Sequence, residues 1–207
     1  MQWADFYPYV LPYVLGCPEP TVDHHLKMAA REFSRRTQCI VGQFESFADG
    51  FDAAVELDLP SGHEIEKVQC VAVDGRVWLV VAPQVGVEIR TGAPAAGVAG
   101  VAGVAFVSGF NQVSLLPIQP AGTVVVVDAV FVQSMDAAAP ADGLEPHARE
   151  IAEMAIASIM MVPGQTFTNV AHAAQLRGLC DQRVMTVAAK IARGSSRARV
   201  GSRATYL

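Results

Sequence analysis

The spacing of apolar residues changes twice along this chain, and that double switch restricts its fold more than any other feature. From Val22, the residues Val22, Leu26, Ala29 and Phe33 recur at steps of four, three and four, which lines one face of a helix. From residue 38 to about 135 the period drops to two, the period of strands. From Leu144 it returns to helical spacing through Ala148, Ile151, Ala155, Ile159 and Val162. Helices therefore enclose a β region in sequence, and the class is α+β.

The spacing predicts helices near 22–37, 144–162 and 169–193. Pro20 is expected to keep the first from starting earlier, with Thr21 as its N-cap. Three of its four bases, Arg31, Arg35 and Arg36, follow Lys27 toward its C-terminal end, where they suit the helix dipole. Asp142 and Glu145 fit a capping box for the second helix, and Pro146 falls in its first turn. Pro163-Gly164 ends it. Val170, Ala173, Cys180, Val184, Val187 and Ile191 carry the third, which is expected to stop at Gly194. So short a turn between the last two helices implies antiparallel packing, and the first helix completes a small bundle.

Within the β region, Val55, Leu57 and Leu59 alternate with Glu56 and Asp58. Ile65–Val73 and Arg76–Val81 flank Asp74-Gly75, the strongest short hairpin signal in the chain. Val85–Ile89, Val104–Ser108, Gln112–Leu116 and Thr123–Gln133 read as further strands, enough for a β-sandwich or barrel. Gly97 to Ala105, a Gly-Val-Ala repeat, reads as a loop leading into a strand. The expected organisation is a helical bundle from 1–37 and 138–194, a β insertion domain over 38–137, and an extended C-terminal arm over 195–207. Residues 1–20 read as a second extended arm. Its Trp3, Phe6, Tyr7, Tyr9 and Tyr13 must pack on this chain or on another copy.

Composition narrows the function classes. Of 207 residues, 52% are hydrophobic and 17% charged, which excludes disorder for most of the length. A net charge of −5 disfavours general nucleic-acid binding. Asp5, Pro8 and Pro12 interrupt the apolar start and no base precedes Lys27, so an export signal is not expected. Cys17, Cys39, Cys70 and Cys180 are widely spaced, without a Cys-x-x-Cys motif, and read as free thiols of a reducing compartment. Residues 91–127 carry no charge, but their Gly, Pro117, Pro120, Asn111 and Gln112 argue for packed strands and loops rather than a membrane span.

Catalytic patterns are scarce. Asp23-His24-His25 opens a helix, and adjacent histidines point about 100° apart, unlike the i, i+4 pair of a zinc helix. Their expected state is solvated. Cys39 or Cys180 with His172 is the only thiol–imidazole pairing to consider, and no flanking signature accompanies it. Gly-x-Ser-x-Gly, P-loop and dinucleotide fingerprints do not occur, and the acidic run lacks EF-hand spacing. No catalytic residue, metal or cofactor is read. The competing readings are a cysteine- or carboxylate-dependent hydrolase and a membrane-active protein using 91–127.

Charge is unevenly placed. Residues 183–207 hold six bases and no acid, leaving nine bases against twenty acids elsewhere. Glu45, Asp49, Asp52, Glu56, Asp58, Glu64 and Glu66 follow one another with no intervening base. Oppositely charged surfaces on one small protein suit head-to-tail assembly or a complementary partner.

Three segments carry a family resemblance. They are Asp5 to Pro20 with the helix Val22–Phe33; the strand–turn–strand from Leu57 through Pro60-Ser-Gly to Val68; and Ala148 to Asn169, a helix, Pro-Gly turn and next helix start. In this order they resemble the head-to-tail adaptor (connector) proteins of tailed phages, in particular short-tailed ones. The Gly-Val-Ala repeat departs from the family, whose members are more polar there. The resemblance implies a structural virion protein and no enzyme. It implies a ring, commonly of about twelve copies, assembled in the host cytoplasm and held at the head–tail interface. There it joins the portal protein to the tail nozzle or tube protein and extends the channel through which DNA passes without specific binding. No membrane is involved. It further implies that the C-terminal arm clasps the portal, with Arg197, Arg199, Arg203, Tyr206 and Leu207 as contacts. Glu45, Asp49 and Asp52 are the candidates for the channel wall, where carboxylates would repel phosphates.

Overall fold

Proline opens helices in this chain rather than excluding them. In the computed structural model, which describes residues 1–81, 103–109 and 111–203, the N-terminal segment is not extended. It is a 3-10 turn (Trp3–Phe6), a short helix α1 (Tyr7–Val10) and a second 3-10 turn (Leu11–Tyr13), with Pro8 and Pro12 in first-turn positions. Gln2 N–H donates to Asp5 Oδ2 at 2.7 Å, closing the first turn. Helix α2 spans Glu19–Thr37, with Pro18 as N-cap and Pro20 in its first turn. The expected start at Val22 is therefore three residues late. A proline there loses only an N–H that has no helical acceptor anyway. At the other end Gln38 adopts φ 54 and donates its N–H to Ser34 O at 2.8 Å.

The expected second helix is divided. Asp142–His147 is a 3-10 turn containing Pro146, and α3 runs from Ala148 to Met160. Ala141 takes the cap position without a side-chain hydrogen bond, so the Asp142 box does not form. The last helix, α4, spans Val170–Arg203. Asn169 accepts the His172 N–H at 3.1 Å as its cap. Gly194 does not stop it: residues 195–203, expected in an extended arm, continue the helix. One glycine costs about 1 kcal/mol in a helix and does not forbid it.

The chain forms two compact units, Met1–Ile40 with Val132–Leu207, and Val41–Phe131. In the first, α2, α3 and α4 pack on one another and α1 packs on α3. Phe6, Val10, Val14, Val22, Leu26, Phe33, Leu144, Ile151 and Ile159 are fully buried there. Each such side chain stabilises by about 1.5–3 kcal/mol. Trp3 and Phe6 thus find their packing within the chain, and Trp3 Nε1 donates to Ala137 O at 3.2 Å. Tyr9 and Tyr13 stay exposed.

The return from the β region is fixed by a buried amide. Gln133 is fully buried. Its Oε1 accepts Ala141 N–H at 2.7 Å and its Nε2 donates to Ala139 O at 3.3 Å, while its own N–H donates to Ser34 Oγ at 3.1 Å.

The second unit is a curled seven-stranded sheet. Its strands are β1 (Ile40–Phe47), β2 (Ala54–Glu56), β3 (His63–Val73), β4 (Arg76–Val80), β5 (Val104–Val107), β6 (Gln112–Leu116) and β7 (Val124–Gln133), in the order β1-β7-β3-β4-β5-β6-β2. β3 and β4 form the expected hairpin, with Asp74 and Gly75 at φ 47 and 76. β4 and β5 pair in parallel, whereas β5–β6 and β6–β2 are antiparallel. Ser46 Oγ of β1 donates to Glu56 O of β2 at 2.6 Å, linking the two edge strands. Val71, Trp78, Ala105, Val113, Leu115 and Val127 fill the inner face. Glycine is required at two contacts. A Cβ on Gly103 would lie 2.5 Å from the Trp78 ring, and one on Gly50, at φ +86, would lie 2.7 Å from Ala121 N. The expected strand Val85–Ile89 lies outside the described residues, as do residues 91–102 and 110 of the uncharged 91–127 stretch.

Candidate functional site

Charged side chains of the helical unit are used in pairs across helices. Arg36 Nη1 of α2 donates to Asp181 Oδ1 of α4 at 2.6 Å and reaches Glu32 Oε1 at 3.4 Å. The Asp181 hydrogen bond pushes the Arg36 pKa further up. Glu153 of α3 takes two arginines, Arg149 at 3.1 Å and Arg183 of α4. Two clefts lie beside these pairs. One, of about 180 Å³, is bordered by Met28, Glu32, Ser158, Arg177 and Cys180. The other, of about 360 Å³, is bordered by Tyr9, Tyr13, Arg149, Ile156, His172 and Leu176.

All four cysteines are free, with Cys17 and Cys180 buried. Burial, reinforced by Glu153, pushes the Cys180 thiol up to about 11, and burial raises Cys17 and Cys39 as well. These three thiols are protonated at neutral pH, the state opposite to that of a thiolate nucleophile. Cys180 borders the smaller cleft and His172 the larger, so the structure does not bring them to one site.

The Asp23-His24-His25 run is only partly solvated. His24 is exposed, but His25 is half-buried and its Nδ1 lies 2.8 Å from Ser158 Oγ of α3. Asp23 accepts the Tyr7 hydroxyl at 2.8 Å, and burial together with this carboxylate pushes the Tyr7 pKa up to about 12. Burial, then the neighbouring His24, lowers the His25 pKa below the usual 6.5. The fold thus prefers His25 neutral. Its contribution to stability is complete above the unfolded value near 6.5 and is lost as pH falls through the lower folded value. Thermal unfolding measured from pH 7 to pH 5 is expected to show that loss. His25→Gln should flatten the dependence, and His24→Gln should weaken it only in part, because burial is the larger cause.

The residues that the resemblance assigns to the portal fall at the end of α4. Arg197, Arg199 and Arg203 lie on its continuation past Gly194, and Tyr206 and Leu207 lie outside the described residues. Glu45 is exposed on β1, and Asp49 and Asp52 are exposed in the loop before β2. Asp49 Oδ1 accepts the Phe51 and Asp52 N–H groups at 2.9 and 3.0 Å, which holds its carboxyl below the usual range. Sequence reasoning did not single out Phe47 and Phe51, which stand exposed among these acids. The available signal was an aromatic on each side of Asp49-Gly50.

Among the described residues, no group of three or more His, Cys, Asp or Glu side chains is placed to hold a metal ion, and no helix is long and apolar enough to cross a membrane. No protein-family model and no curated protein matches the sequence.

Proposed function

We propose that the protein is a structural subunit of a phage virion, an adaptor that joins the portal of the filled head to the tail. About twelve copies form a ring that extends the DNA channel. The tail nozzle or tube protein seats on the opposite side. The fold that serves this role is an antiparallel helical bundle, a barrel-like β insertion and a C-terminal arm that clasps the portal.

One observation carries the reading. Both units present large apolar side chains to solvent: Leu15 (76% exposed) and Met185 (69%) in the helical unit, Phe51 (87%) in the sheet unit. Such surfaces fit a protein that is completed by neighbours. The raised thiol pKa values and the separation of Cys180 from His172 favour it over a cysteine hydrolase.

Light scattering on the isolated chain should give a monomer or weak oligomer, because the surfaces await partners. Electron microscopy of particles should place a ring of this chain between portal and tail. Particles whose head–tail junction lacks the chain would end this reading. A stable dodecamer formed without any partner would overturn the order of assembly alone.

A further inference from the structure

Beyond Val184 helix α4 is only partly covered. Val184 is its last buried residue among the described side chains. Val187, Ala188 and Ile191 continue the same apolar stripe in half-buried positions, at steps of three and four. At about 100° per residue, Met185 flanks the stripe on one side and Lys190 on the other. Lys190 is exposed and has no ion-pair partner among the described residues. The sequence from 184 to 203 contains five bases and no acid. Among the described side chains this face is apolar along its centre, with the cation of Lys190 on its margin.

The sheet unit carries a surface of matching chemistry. Phe47 and Phe51 are exposed by 62% and 87%. Glu45 precedes them on the exposed side of β1, and Asp52 follows in the loop. Asp49 is engaged by its own loop, while the carboxylates of Glu45 and Asp52 have no partner among the described residues. Residues 45–66 add seven acids and no base.

We propose that this aromatic and acidic surface receives the half-buried stripe of α4 and its exposed margin from a second copy of the chain. Phe47 and Phe51 cover the stripe of Val187, Ala188 and Ile191, and Glu45 and Asp52 face Lys190. Charge complementarity selects a second copy as the occupant, since both halves are on every chain. The contact is heterologous, so it runs head to tail and closes into a ring when its rotation permits. It rests on the adaptor reading and deepens it by supplying the contact between ring neighbours. It also assigns Glu45 and Asp52 to that contact rather than to the channel wall.

Sedimentation velocity on the full chain tests this. The weight-average mass should rise with concentration and fall back as salt screens the charges. Lys190→Glu and Asp52→Lys should each weaken association about tenfold or more, and the two together should restore it to within about threefold. Phe51→Ser should also weaken association with unchanged melting, because the ring is exposed in the free chain. A chain that stays monomeric at every concentration overturns the proposal, as does a pair of reversals that fails to rescue. Either failure leaves open to imaging whether a ring sits at the portal. Rescue together with absence from the head–tail junction keeps this contact and removes the adaptor reading.

Discussion

Gln133→Leu is expected to lower unfolding stability by about 1–3 kcal/mol, because the buried Ala141 N–H and the half-buried Ala139 carbonyl lose their partners at once. The side chain is fully buried, and leucine is close to it in volume, so the loss is one of hydrogen bonding rather than of packing. Ala141 N–H would face the interior without its 2.7 Å acceptor, and Ala139 O would lose its donor. Buried Ala137 lies in the same connection and accepts from the Trp3 indole, so loosening here reaches the N-terminal segment. Denaturation followed by tryptophan fluorescence in a Trp78→Phe background reads Trp3 alone. A change below about 0.5 kcal/mol would mean that the connection is held by its other contacts.

Under the proposed adaptor role, removing residues 195–207 is expected to abolish docking to the portal while leaving thermal unfolding nearly unchanged. The described core of the helical unit lies on the N-terminal side of the cut, with Val184 as its last buried residue in α4. The removed segment is Ser195-Ser-Arg-Ala-Arg-Val-Gly-Ser-Arg-Ala-Thr-Tyr-Leu207. Its arginines can fork onto carboxylates, and Tyr206 with Leu207 can anchor in an apolar groove. Co-purification of truncated protein with portal-containing particles at normal occupancy would move the clasp into the helices.

What the sequence disclosed was local. Asp74-Gly75 specifies its hairpin because two positive φ angles are needed within the turn itself. The stripe Val22, Leu26, Ala29, Phe33 is buried as its period requires. Helix ends were less legible. Pro20 and Gly194 were read as barriers, although a first-turn proline costs nothing and one glycine costs little. The strand order was not legible, since the place of β7 between β1 and β3 and the parallel β4–β5 pair are set by contacts distant in sequence. Similarly, nothing near His25 announces Ser158, and nothing near Gln133 announces Ser34. The site signals that sequence did supply were charges. The aromatics between them went unremarked because single exposed apolar residues are common on any surface.

The helical unit draws on chain from both sides of the sheet unit, and this has a consequence during synthesis. Leu26 and Phe33 leave the ribosome long before Ile151 and Ile159, the residues of α3 that share their core. At about 5–20 residues per second, the roughly 120 residues between Phe33 and Ile151 take about 6–24 s to make. Throughout that interval the apolar face of α2 has no permanent cover, while the sheet unit can already fold behind it. The nascent chain therefore passes through a stage in which a finished β unit trails an open helix, and that stage is where chaperone capture or aggregation will compete with folding.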